Sequence, residues 1–299
     1  MDDRASLIER AAELLRSGNQ KPGPPYAEAP EPIVASSTPS APRSLARTVT
    51  LDRRHLAQSG IIMPWTTSAR SVEEFRIIKR QIMFLWQSPE YASLEDGRSR
   101  SIMITSSRPR EGKTFISINL ALAFAAEENL VTVLIDADAV RADTARILNI
   151  PSEPGLMGLL SKKLQLDDVL IQTDLPSLVI LPPGAPGPEV PELLSGEGPA
   201  ALLAEIAKRY PRYVIVIDTP PCLASTDPAA IAPIVSQALF VVEAGHTQRA
   251  EIESSLNMIS GCRHISLVLN KAPARSSEHF GSYSYYYRPR ESPGQVRED

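Results

Sequence analysis

Gly112-Lys113-Thr114 follows a run of apolar residues and precedes a helical pattern, and this placement gives the tripeptide a chemistry. The segment Ile104-Thr105-Ser106-Ser107-Arg108-Pro109-Arg110-Glu111-Gly112-Lys113-Thr114 joins SIMIT (101–105) to FISINLALAFA (115–125). A turn at such a junction aims backbone N–H groups and a helix N-terminus at bound phosphate. Lys113 then neutralises phosphate oxygens and the Thr114 hydroxyl ligates Mg2+, with Arg110, Glu111 and Gly112 completing the nucleotide-binding loop. The loop is irregular. Ser107 occupies the usual first glycine, and Arg110 stands where a second glycine is common. Taken alone, the tripeptide reads equally well as an ordinary strand-to-helix turn.

Acidic residues at two other strand ends decide between these readings. VTVLID (131–136) runs into Asp136-Ala137-Asp138, and in extended backbone residues i and i+2 point to one side. YVIVID (213–218) ends in Asp218, followed by Thr219-Pro220-Pro221. Any one of these aspartates could be a cap or a turn residue. Together they place three carboxylates at the crevice where α/β sheets bind nucleotides, and with Lys113 and Thr114 they argue for a Mg2+-nucleotide site.

The elements that must hold these residues are LVIL (178–181), ALFVVE (238–243), ISLVLN (265–270) and the three strands already quoted. They are continuously apolar, as strands covered on both faces are, and helical patterns separate them. The expected fold is a doubly wound α/β sheet, mainly parallel, with helices on both faces. Residues 1–18 are expected to form an amphipathic helix, with Leu7, Ala11, Leu14 and Leu15 on one side. Residues 19–66, with seven prolines between 22 and 42, are expected to be a linker. The folded domain then spans 67–275, and a polar tail spans 276–299.

Composition excludes several classes. A net charge of -4 argues against a nucleic-acid partner, and Cys222 and Cys262 are too few for a disulfide framework. No apolar run approaches the ~20 residues of a membrane span, so a cytoplasmic location is expected. The four histidines lack metal-ligand spacing, and Trp86 in RQIMFLWQ reads as helix packing. Of eight tyrosines, four, Tyr283, Tyr285, Tyr286 and Tyr287, crowd into five positions of the tail.

The loop Ser-x-Pro-x-Glu-Gly-Lys-Thr, the strand Ile-Asp-Ala-Asp with a following arginine, Val-Ile-Asp-Thr-Pro-Pro and the tyrosine cluster together resemble the bacterial tyrosine kinases. The Ser-Leu-Ile-Glu-Arg-Ala helix and Glu-Glu-Phe-Arg before the first strand narrow the resemblance to autokinases of exopolysaccharide loci associated with exosortase. The resemblance implies a P-loop NTPase-type fold and phosphorylation of the tail tyrosines in trans. Asp136 and Asp138 would form the second acidic motif, with Asp136 as general base and metal contact. Asp218 would hold Mg2+, and Asn270 would contact adenine. Glu73, Arg76 and Lys79 resemble a ring-forming helix motif, with lysine in place of its second arginine. The implied partners are further copies of the chain and a membrane polysaccharide co-polymerase that recruits it to the inner membrane face. Two alternatives stand beside this reading. One is a deviant Walker ATPase acting as a positional switch, although Arg108 occupies its signature lysine position. The other is a non-catalytic assembly regulator.

Overall fold

The computed structural model describes residue 45 and residues 47–63, 70–88, 91 and 99–273. The expected N-terminal helix and the tyrosine tail lie outside the described residues. Eight strands make one sheet: β1 (Arg47–Val49), β2 (Ser101–Ser106), β3 (Val131–Asp136), β4 (Ile171–Thr173), β5 (Leu178–Leu181), β6 (Tyr213–Asp218), β7 (Gln237–Glu243) and β8 (Ile265–Asn270). Their order is β1-β4-β5-β3-β6-β2-β7-β8. β4 runs antiparallel to β5, and every other pairing is parallel. The expected six strands are all present. β1 and β4, at three residues each, are too short to leave a periodic signal.

Alternation within the central strands explains their unbroken apolar runs. Ile102, Ile104, Leu134, Val214 and Val216 face one buried cluster, and Met103, Val133, Ile135, Ile215 and Ile217 face the other. The first cluster is closed by α1 (Arg53–Gln58), α2 (Arg70–Trp86) and α3 (Lys113–Ala125). The second packs under α4 (Gly198–Arg209), α5 (Asp227–Ile231) and α6 (Arg249–Met258). α3 is buried almost all round, as its nearly uniform apolar sequence requires. Trp86 stacks on Phe124 with ring centroids 5.4 Å apart, so it packs as expected.

The linker boundary is corrected. Residues 47–63 belong to the folded unit: β1 pairs with β4, and Leu51, Leu56, Ile61 and Met63 join the same buried cluster as α3. Asp52 caps α1 by accepting from the N–H groups of Arg54 and His55, both at 3.0 Å. The Ile62 N–H donates to the Asn119 side chain of α3 at 2.7 Å. Pro42 is the last proline before Pro64, so the proline-rich composition does not extend over this stretch.

The proposed ring face is also corrected at one position. Glu73 and Arg76 are exposed and pair with each other at 3.3 Å. Lys79 is only 8% exposed. Its ammonium donates to the Ala123 carbonyl at 3.2 Å and pairs with Glu127. Six residues of α-helix rotate by about 240°, which carries Lys79 away from Glu73 and toward the packed side with Phe75 and Ile82.

Because Leu56 is fully buried, Leu56→Ala is expected to cost about 2–5 kcal/mol in urea unfolding, as loss of a core leucine does. An unchanged midpoint would show that residues 45–63 are dispensable to the domain.

Candidate functional site

The loop of residues 107–112 bends back on itself through two left-handed residues, Arg110 at φ 71° and Gly112 at φ 99°. Gly112 is required on two counts. Its φ favours glycine, and a Cβ there would lie 2.1 Å from the Asn270 amide nitrogen. Arg110 adopts without glycine the conformation that glycine would favour at that position. The strain is offset by bonds from the far side of the sheet. The Lys271 ammonium donates to the Arg110 carbonyl at 2.7 Å, and the Asn270 amide donates to the Glu111 carbonyl at 2.8 Å. Ser255 on α6 meets Ser107 at 3.0 Å, and Arg108 pairs with Glu251.

Glu111 departs from its expected role. Its carboxylate is buried and turned into the fold, where it accepts from the Arg108 N–H at 2.7 Å and from the Thr247 hydroxyl. The side chain thus braces the loop instead of presenting itself to a ligand. Asn270 is positioned against the loop backbone.

Lys113 opens α3 and is almost wholly enclosed. Its ammonium lies 3.2 Å from Asp138 and 3.4 Å from the Thr114 hydroxyl. Burial by itself would lower the Lys113 pKa, but the charges of Asp218 and Asp138 outweigh it and the net shift is upward. Asp136 and Asp218 are register partners on β3 and β6 and are completely buried. Asp218 accepts from Ser117 at 2.9 Å and from Thr144 at 3.3 Å. Burial raises its pKa, while Lys113, Thr114 and Ser117 pull the other way.

Asp136 is less well satisfied. One oxygen accepts from the Asp138 N–H at 2.9 Å, and the other has no hydrogen-bond partner. Burial, reinforced by the charge of Asp218, pushes its carboxyl well above the ordinary range. A buried acceptor without a donor, beside a second buried carboxylate, fits a divalent cation. Among the described residues no three His, Cys, Asp or Glu side chains form a cage on their own. Mg2+ commonly takes one or two carboxylates and completes its shell with phosphate and water, so the residues present fit it.

The structure therefore brings Lys113, Thr114, Asp136, Asp138 and Asp218 together at the carboxyl edge of β2, β3 and β6. Tyr283, Tyr285, Tyr286 and Tyr287 lie outside the described residues. Ser117, Thr144, Thr247, Glu251 and Lys271 were not foreseen. Only Ser117, one helical turn after Lys113, had a readable signal.

No family model matches the chain. It is 30% identical over 225 residues to the tyrosine-protein kinase CpsD of Streptococcus agalactiae, covering 73% of this chain and 91% of that one. It is 28% identical over 229 residues to the tyrosine-protein kinase YwqD of Bacillus subtilis, covering 77% and 92%. Among solved structures, the chimerical protein CapA2B2 superposes with a TM-score of 0.60 at 27% identity, covering 73% of this chain and 97% of that one.

Two outcomes test the site. A raised carboxyl pKa adds stability below about pH 4 that is lost as pH rises through the folded value. Asp136→Asn removes that loss, so at pH 8 in EDTA the variant should be more stable in thermal unfolding, by on the order of 1–2 kcal/mol. A lower midpoint would contradict the charge balance described above. At Arg110, glycine relieves the left-handed strain and a β-branched residue worsens it. Arg110→Gly should retain Mg-ATP affinity in calorimetry, while Arg110→Val should lose about tenfold, equivalent to ~1.4 kcal/mol.

Proposed function

The chain belongs to the bacterial tyrosine kinases, and we propose that it transfers the γ-phosphoryl group of ATP to its own C-terminal tyrosines, one copy acting on another. The observation that carries this reading is the Lys113–Asp138 pair beside the buried carboxylates of Asp136 and Asp218.

In this mechanism the N–H groups of the 107–112 loop and the start of α3 hold the phosphates, and Asn270 contacts the adenine. Thr114, Asp136 and Asp218 would hold Mg2+, which when bound offsets negative charge on the phosphates. Phosphate oxygens compete for the Lys113 ammonium, so nucleotide binding draws it off Asp138. A phenol of pKa about 10 is a poor nucleophile until a carboxylate accepts its proton. Asp138 is better situated for this than Asp136. Asp138 is only 3% exposed and its Oδ1 accepts from the Arg141 N–H, but it lines the open cleft, whereas Asp136 is fully buried beside Asp218 and does not. Most of the rate then comes from alignment and from charges fixed in advance.

Tyr283, Tyr285, Tyr286 and Tyr287 are the acceptors. Each phosphate adds about -1.5 to -2 charges, which would loosen a ring of copies. Glu73 and Arg76 remain available for such a ring, and Lys79 does not. The physiological role is control of exopolysaccharide synthesis or export, through a membrane polysaccharide co-polymerase that brings the kinase to the membrane. No helix among the described residues is long and apolar enough to cross a membrane. The positional-switch alternative is disfavoured because Arg108 is paired with Glu251 of its own chain.

Purified protein incubated with Mg-ATP should become phosphotyrosine-positive. Lys113→Met should reduce the signal at least 100-fold, and changing the four tail tyrosines to Phe should remove it. Signal that survives either change would overturn the reading. A mixture of the Lys113→Met chain with one lacking tail tyrosines should restore labelling if transfer is between copies.

A further inference from the structure

A cleft of about 290 Å3 opens beside the site, between the segments that follow β3, β5 and β6. Asp138 is the wall it shares with the Lys113 side. Four prolines, Pro188, Pro191, Pro220 and Pro221, form much of the remainder. Proline rings cannot rotate out of the way, so this part of the wall is apolar and stiff, while Arg141, Ser225 and the carboxylates of Asp138 and Asp227 make the rest polar. This shape suits a flat ring with one hydroxyl, held by apolar walls and oriented by a polar end group.

The cleft contains a second acid that lies outside the phosphate-loop and strand-end motifs. Asp227, at the start of α5, also lines it and is 7% exposed. Its Oδ1 is buried and has no hydrogen-bond partner among the described residues. A buried carboxylate oxygen left without a donor is costly, and its position on a cleft wall means that an occupant can supply the donor.

We propose that this cleft is the slot for the acceptor tyrosine, with the ring between the prolines and the hydroxyl at Asp138, and that Asp227 accepts a hydrogen bond from the segment carrying that tyrosine. The proposal rests on the kinase reading and extends it to the acceptor side. The phenol has a single hydroxyl, which is committed at Asp138. Arg141 lines the same cleft without bonding Asp227 Oδ1, so the donor assigned to it is a main-chain N–H or a cationic side chain of the incoming segment. Arg288 and Arg290, which follow the tyrosine cluster, supply cations of the required charge. Asp227 is thus a residue that binds and selects the acceptor. It also discriminates against product, because a phosphorylated ring would bring its charge toward both Asp138 and Asp227.

The test uses the full chain, Mg-ATP and a synthetic peptide of residues 279–290, with label incorporated into the peptide as the readout. Asp227→Asn should raise the KM for the peptide about tenfold while the KM for ATP stays within twofold. A purely structural role for Asp227 would move both constants or neither, and either result overturns the slot. A second variant protects against misfolding at Asp227. Ala224 lies on the exposed rim of the cleft, so Ala224→Phe should fill it from outside. It should cut peptide labelling at least tenfold with Mg-ATP affinity intact. Undiminished labelling in this variant would also overturn the proposal. If the wild-type chain labels neither peptide nor itself, the kinase reading fails and the slot falls with it. If the wild type labels itself and the variants behave like it, the slot alone fails.

Discussion

Burial of Asp136 and Asp218 side by side, on neighbouring strands and with no exposed surface, is the constraint that the rest of the molecule serves. Two carboxylates in that position repel each other and lose their hydration. The fold offsets the cost with hydroxyl donors from Ser117 and Thr144 onto Asp218 and with the ammonium of Lys113 close by. One oxygen of Asp136 is left over. A sheet of unbroken apolar strands, packed on both faces, is rigid enough to hold that imbalance in place. An incoming cation and phosphates would then find a site already organised, with little reorganisation required.

The phosphate loop depends on a different part of the sheet. Few of its restraints come from its own sequence. They arrive from Thr247, Glu251, Ser255, Asn270 and Lys271, all beyond β7. This division explains how Arg110 can sit in a left-handed conformation with Lys113 still correctly placed. The two ends of the loop are held by distant side chains, and the strain between them stays local.

What could be read in the sequence follows the same division. Asp136, Asp138 and Asp218 were legible because each stands at or just past the end of an apolar strand, and Lys113 and Thr114 because they follow Gly112 in a strand-to-helix junction; strand ends in a parallel sheet converge on one edge. The bracing role of Glu111 was not legible, since nothing in the loop says which way its carboxylate turns. β1 and α1 were hidden by the neighbouring proline-rich stretch, and their short lengths gave no period to count. Lys79 shows the limit of a spacing argument. Three charges at i, i+3 and i+6 form a motif on paper, yet helix geometry turns the third onto the packed side, where Ala123 and Glu127 receive it.

β8 is the terminal strand of the sheet and bonds to β7 alone among the described strands. Its Leu267 and Leu269 side chains are 60% and 62% exposed. An edge strand of this kind opens at a lower free energy than the strands inside the sheet. Asn270 and Lys271, at its end, are the residues that grip the phosphate loop. Part of the bracing of the 107–112 loop is therefore tied to the edge strand and not to the core alone. Whatever frays or clamps that edge also loosens or tightens the hold on the loop.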